Sequence, residues 1–330
     1  MTGIVAVAFT PAPAVQSPNM RAITDTGSVA SYYRAIVVTF ASVRRWNHHL
    51  RLALVTDCKP PVPYDDQLSA LDVQILEAEF EHRPPDGFWP TFNASLYTID
   101  VMSMLARTAK PTDQILLLDP DVLCTGELTA VLQVIRGTDV LVYPTGFPED
   151  EESQGLSALD AAPLHLELDP ELQEPPMHYG GELYGFTAAG ALPILRRAED
   201  AWKLAMSNWA SGRPYFVTEE HLLNYAVRRA HKVDATTFIR RIWTAPVHRT
   251  VSGDEGALLL WHLPAEKDRG FVEFASAVAD PQSWFWMAER DEFLRRAGDL
   301  VGIPHRALGR FAYDVAGGSI RAAQRRLLKR

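Results

Sequence analysis

The sequence has 330 residues, 47% of them apolar, with 32 Lys and Arg against 41 Asp and Glu, a formal net charge of −9 and a pI of about 5.6. That length supports one large core or two closely joined halves. No apolar run reaches the ~18–20 residues of a membrane span, and the acidic balance argues against nucleic-acid binding.

Residues 1–15, MTGIVAVAFTPAPAV, carry prolines at 11 and 13 and no basic n-region, so they do not read as a secretory signal. Residues 4–9 read instead as a first buried strand. Residues 32–46 place Ile36, Phe40 and Val43 at helical spacing, and 50–56 (LRLALVT) return to a strand that ends before Asp57. Strand, helix and strand with short links is the βαβ pattern of a parallel sheet. A third strand is expected at 73–80, a helix at 93–108, the most hydrophobic strand at 114–118 (QILLL), a helix at 127–135 and a strand at 139–143. Residues 149–174 hold nine acids and no Lys or Arg, which predicts a loop or mobile insertion. Regular structure resumes with a strand at 179–187, helices at 192–209 and from 219 to about 231, a late strand at 257–262 and a helix at 291–300.

The fold class this pattern predicts is α/β, a mostly parallel, Rossmann-like sheet flanked by helices. Residues 1–145 would form a nucleotide-binding half and 146–300 an acceptor-binding, catalytic half of the same domain, followed by a basic tail over 301–330. Residues 305–330 hold seven Lys and Arg against Asp314 alone, about +6, leaving about −15 on the rest. Arg321, Arg325 and Lys329 share one helical face beside an apolar stripe of Ile320, Ala323 and Leu327. The tail is expected to be a docking strip, either on an anionic membrane where a lipid-linked acceptor waits or on the acidic body, with Gly317-Gly318 as hinge. Cys58 and Cys124 lack metal-ligand spacing and are expected as free thiols of a reducing, cytoplasmic compartment.

The chemistry centres on Leu116-Leu117-Leu118-Asp119-Pro120-Asp121-Val122-Leu123. Side chains at i and i+2 of an extended chain face the same way, so Asp119 and Asp121 present two carboxylates just beyond a buried strand. Ligands of open α/β sheets bind at strand carboxyl ends, and two hard oxygen ligands there suit Mn²⁺ or Mg²⁺. A bare Asp-x-Asp also fits a solvated turn; the strong strand before it, the proline within it and the helix after it favour the metal. Gly180-Gly181 allow close backbone approach and positive φ, with Tyr179 and Glu182 flanking them as candidate ligand contacts. Glu219 and Glu220 open a helix capped by Thr218, where acids favour the macrodipole and where a carboxylate can also be a catalytic group. Phe88 and Trp89, and Trp284, Phe285 and Trp286, are aromatic clusters that either pack in the core or stack on sugar; Trp89 is the candidate substrate contact.

The stretch ILLLDPDVLCTGELTAVL resembles the Asp-x-Asp segment of GT-A glycosyltransferases, particularly the retaining families 6 and 8. HYGGELYGFTAAGALPILRRAEDAW followed by VTEEHLLNYAVRR is similar to the histo-blood-group and α-1,3-galactosyltransferase type, and Thr56-Asp57 to the strand end these enzymes share. The resemblance covers residues 4–265 and rests on the shared order of short pieces. It implies a nucleotide-sugar donor, UDP-linked, met by Phe9, Thr10 and Asp57, and a glycan, lipid-linked or small-molecule acceptor. It implies metal binding by Asp119, Asp121 and His262. Glu219 falls on the catalytic glutamate of family 6 and Glu220 on the amide position of family 8. Family 8 carries a late His-x-x-Gly-x-x-Lys; here His262 is followed by Lys267 and Arg269, without the glycine and with lysine one place early, leaving both as looser phosphate candidates. The donor arginine of family 8 is also missing, residues 92–96 reading FNASL. An inverting transferase or a non-catalytic carbohydrate-binding protein of the same fold remains open. A nucleotidyltransferase is disfavoured, because residues 10–19 hold neither glycine nor a basic residue.

Overall fold

The computed structural model describes residues 2–11, 25–245 and 248–305; the basic strip of 306–330 and its predicted docking role lie outside them. Two βα units open the chain: β1 (Gly3–Ala8), α1 (Asp25–Trp46), β2 (Arg51–Thr56), α2 (Tyr64–Ala70) and β3 (Val73–Glu77). Then come α3 (Tyr97–Thr108), β4 (Gln114–Leu118), β5 (Val122–Cys124), α4 (Thr129–Arg136) and β6 (Val140–Pro144). The remaining chain forms α5 (Ala158–Leu168), β7 (Tyr179–Thr187), α6 (Ala188–Ala210), α7 (Glu219–Ala226), β8 (Lys232–Asp234), β9 (Ile239–Arg241), β10 (Leu260–His262), α8 (Gly270–Ala279), α9 (Trp284–Met287) and α10 (Arg290–Val301).

Seven strands make one sheet in the order β3-β2-β1-β4-β7-β6-β8. The β1, β2, β3 and β4 pairings are parallel, β7 runs antiparallel to both its neighbours, and β8 is again parallel to β6. The β1 side chains alternate between two cores, as a strand covered on both faces requires. Val5 and Val7 pack with α1 and α4, whereas Ile4 and Ala6 pack with α3 and α6. Among the described residues no helix is long and apolar enough to cross a membrane.

Three expectations are corrected. The acidic stretch is not a loop throughout, because Ser157 caps α5 by accepting from the Asp160 N–H at 3.1 Å and Leu164 turns into the core. The 219–231 helix breaks at Val227 into a 3-10 turn. The late strand shrinks to Leu260–His262, after a 3-10 turn at Glu255–Ala257. β10 belongs to a second sheet, β5-β10-β9, whose other two strands have no counterpart among the sequence expectations, since strands of three residues carry too little periodicity to be seen.

Candidate active site

The small sheet assembles the metal candidates. Asp119 and Asp121 follow the carboxyl end of β4, and the Thr39 hydroxyl fixes the turn by donating to the Pro120 carbonyl at 2.7 Å. β10 then pairs antiparallel to β5 with His262 opposite Val122, and the Leu263 N–H donates to the Asp121 carbonyl at 3.0 Å. His262 Nε2 stands 3.3 Å from Asp119 Oδ2 and 3.2 Å from Asp121 Oδ1, while Nδ1 lies 3.4 Å from Glu182 Oε1. One ligand atom from each of Asp119, Asp121 and His262 falls within 4.8 Å of the others.

Asp121 is fully buried. Its Oδ2 receives the Lys267 ammonium, and its Oδ1 has the ion-pair approach of His262 but no well-formed hydrogen bond. Burial pushes this carboxyl up, but the Lys267 and His262 charges outweigh it and hold it well below the usual range. A buried, permanently ionised carboxylate with one underused oxygen, next to a second carboxylate and an imidazole, fits a divalent cation.

The two glutamates at the head of α7 have different surroundings. Glu220 is saturated: Oε1 accepts the Gly181 N–H at 2.8 Å and Arg241 Nη2 at 3.4 Å, and Oε2 accepts His178 Nε2 at 3.1 Å and Gln154 Nε2 at 3.4 Å. Burial pushes its carboxyl up, but His178 and Arg241 outweigh that and hold it below the usual carboxylate range. Glu219 is also buried, yet among the described residues its Oε2 has no hydrogen-bond partner, while the side chain lines the central cavity. Burial, then the adjacent Glu220 charge, push its carboxyl up to about 8. Two carboxyls driven apart in this way are suited to different tasks.

The Gly180-Gly181 pair is needed for close approach rather than for positive φ, which neither residue adopts. A Cβ on Gly180 would stand 2.0 Å from Glu182 Oε2, and one on Gly181 2.9 Å from Glu219 Oε1. Any larger residue at either position would disturb this carboxylate cluster.

Arg241 was missed by the sequence reading because it ends the unseen strand β9. Its guanidinium pairs with Glu182 on β7 and Glu220 on α7, holding Glu182, despite its burial, at about 2. Breaking a buried pair strands the partner charges, so Arg241→Met is expected to destabilise the protein by about 3–5 kcal/mol. Urea unfolding checks this, and a loss under about 1 kcal/mol would mean the acids are solvated.

The remaining candidates divide. Phe9, Thr10, Asp119, Asp121, Gly181, Glu219, Glu220, His262 and Lys267 line one cavity of about 200 Å³, which also takes in Tyr32, Ser95, Gln154 and Trp243. Asp57 sits behind that wall, accepting from Thr10 Oγ1 at 2.9 Å and Arg83 Nη2 at 3.3 Å. Four expectations of direct contact are corrected. Glu182 is fully buried and turned to Arg241 and His262. Tyr179 packs into the core. Arg269 turns inward, donating to Glu266 Oε1 at 3.1 Å. Trp89 packs with the core against Gly155, where a Cβ would lie 2.2 Å from the ring. The other aromatics named above are packing residues too: Phe88 meets Trp202, Trp209 and Tyr215, and Trp284 and Phe285 meet Phe293.

No family model and no curated protein matches this sequence. Among solved structures, an active-site variant of LgtC superposes with a TM-score of 0.51 at 12% identity, over 86% of this chain and 99% of that one; LgtC is described as a galactosyltransferase. The glycosyltransferase GlyE of Streptococcus pneumoniae gives 0.47 at 12% identity over 90% of this chain, which spans only 63% of the GlyE chain. Mouse xyloside xylosyltransferase 1 gives 0.47 at 11% identity, covering 79% of this chain and 97% of its own. The LgtC superposition establishes the fold, a GT-A-type α/β sheet, as expected from the sequence.

Proposed function

We propose that the protein is a glycosyltransferase that moves a sugar from a UDP-linked donor to an acceptor hydroxyl with retention, using Mn²⁺ or Mg²⁺. The observation that supports this reading is the convergence, in one cavity at the strand ends, of Asp119, Asp121 and His262 with the Glu219 carboxyl, whose Oε2 has no hydrogen-bond partner among the described residues. Asp119, Asp121 and His262 would hold the ion, and the mixed oxygen and nitrogen donors favour Mn²⁺. When bound, the ion supplies charge neutralisation to the leaving diphosphate.

The protein's own groups do the rest. Phe9 and Thr10 receive the nucleoside, with Asp57 orienting the Thr10 hydroxyl. Lys267, drawn toward Asp121 in the free protein, offers its ammonium to phosphate oxygens. Glu219 stands at the anomeric carbon, and Glu220, locked by four donors, holds the Gly180-Gly181 segment of β7 against α7. A cytoplasmic setting and a glycan, lipid-linked or small-molecule acceptor complete the reading.

Thermal shift with a panel of nucleotide sugars, with and without Mn²⁺, tests it. The expected result is stabilisation by UDP-sugars that disappears in EDTA, with slow release of free sugar whose initial anomer, read by NMR, keeps the donor configuration. The absence of stabilisation by every nucleotide sugar would sink the transferase reading, and an inverted product would remove retention.

A further inference from the structure

Of the eight tryptophans, seven join one of the two hydrophobic cores: Trp46, Trp261, Trp284 and Trp286 in one, and Trp89, Trp202 and Trp209 in the other. Trp243 joins neither. It is half-buried, it lines the central cavity, and among the described residues its one aromatic contact is an edge approach from His248 at 5.3 Å. A large aromatic ring that stands outside both described cores and borders a polar cavity offers an apolar surface to whatever enters that cavity.

The backbone that carries the ring is held in place. The Trp243 backbone N–H donates to Thr250 Oγ1 at 2.9 Å, and the Thr250 backbone N–H donates back to the Trp243 carbonyl at 3.0 Å. An antiparallel bridge between Thr244 and Arg249 continues this return of the chain. Trp243 also follows Arg241 at the two-residue spacing of one strand face. Arg241 touches Glu220, and Glu220 accepts from Gln154, whose buried Oε1 has no hydrogen-bond partner among the described residues. The platform therefore belongs to the carboxylate side of the cavity, whereas Phe9 and Thr10, with Asp57 behind, form the strand-β1 side.

We propose that Trp243 is a stacking platform for a saccharide acceptor, its indole face covering the apolar C–H face of a pyranose ring while Gln154 Oε1 accepts from a ring hydroxyl. The inference rests on the transferase reading and narrows its acceptor from glycan, lipid or small molecule to a carbohydrate. Indole offers an apolar, electron-rich face, and a pyranoside with axial C–H bonds on one side supplies the matching surface. A flexible lipid chain presents no such rigid face and has no hydroxyl for Gln154.

The test uses the full chain with UDP and Mn²⁺ and takes lactose and methyl β-D-galactoside as probes, with glycerol as a polyol that lacks a ring. Saturation-transfer NMR should place the strongest signal on the H1, H3 and H5 face of the pyranosides and none on glycerol. Trp243→Ala should weaken saccharide binding tenfold or more, and Trp243→Phe, which keeps an aromatic face, should recover part of it. UDP affinity, measured by calorimetry, should stay within twofold in both variants. Saccharide binding unchanged in Trp243→Ala would overturn the platform. A matching loss of UDP affinity would also overturn it, by assigning the ring to the nucleobase. Wild-type protein that binds UDP but neither saccharide overturns the proposal and leaves the transferase reading intact; wild-type protein that binds no UDP removes the reading beneath it.

Discussion

Glu219→Gln is expected to lower kcat by about 10²–10⁴-fold, the range covered by a single positioned acid or base, while donor affinity changes by less than twofold. The glutamine keeps the shape and hydrogen-bonding reach of the side chain but can neither ionise nor attack. An interaction felt mainly in the transition state is lost from kcat rather than from binding. Glu219 also contributes a pH signature. Burial and the Glu220 charge raise its carboxyl from 4.5 to about 8, so the folded protein keeps a proton that the unfolded chain releases. Stability therefore falls as pH rises from about 4.5 to about 8, and the full cost is present above that. Glu219→Gln lacks this cost, so its Tm should exceed that of the wild type by several degrees at about pH 9 and match it near pH 5. The acid limb of the kcat/KM profile should vanish in the same variant. Equal turnover of the two proteins would discard Glu219 as the reacting carboxylate, and parallel stability curves would show that it is solvated.

Much of this site was legible because its residues sit on long, strongly patterned elements. The QILLL run fixed β4 and with it Asp119 and Asp121. The Thr218-Glu219-Glu220 start fixed the head of α7, although Glu219 and Glu220 differ only in their tertiary neighbours, which no local pattern reveals. What escaped lies on short strands. β9, of three residues, pairs with β10, the core of the expected late strand, and β10 pairs with β5; together they bring Arg241, His262 and, two residues past β9, Trp243 to the cavity. Of these only His262 was found, through its resemblance to a late histidine motif. The choice of Trp89 over Trp243 has the same origin. Composition marks both as aromatic, but only the packing shows that Trp89 belongs to a core and Trp243 does not.

Asp121→Asn is expected to abolish metal-dependent donor binding, weakening UDP-sugar affinity by at least about 100-fold, the upper end of what loss of an outer-shell partner costs a metal site. Asp121 is the fully buried member of the triad, and its carboxylate faces two cationic groups, His262 and Lys267. The neutral amide offers one weaker oxygen to an ion and leaves the Lys267 ammonium without its partner. The same change should therefore destabilise the protein by about 3–5 kcal/mol, because a buried charge is left unpaired. That cost could be mistaken for the reason donor binding fails, and a second substitution separates the two. Adding Lys267→Met removes the stranded ammonium and should recover most of the lost stability, while Mn²⁺ binding, titrated before any UDP-sugar is added and so independent of the Lys267 contact to phosphate, stays absent because the ion has no second carboxylate. Calorimetric titration with Mn²⁺ followed by UDP-sugar, alongside urea unfolding, reads both quantities on one set of proteins. Donor affinity that is the same in EDTA and in Mn²⁺ for the wild type, or that survives in Asp121→Asn, would show that the aspartate pair serves the fold and not the ion.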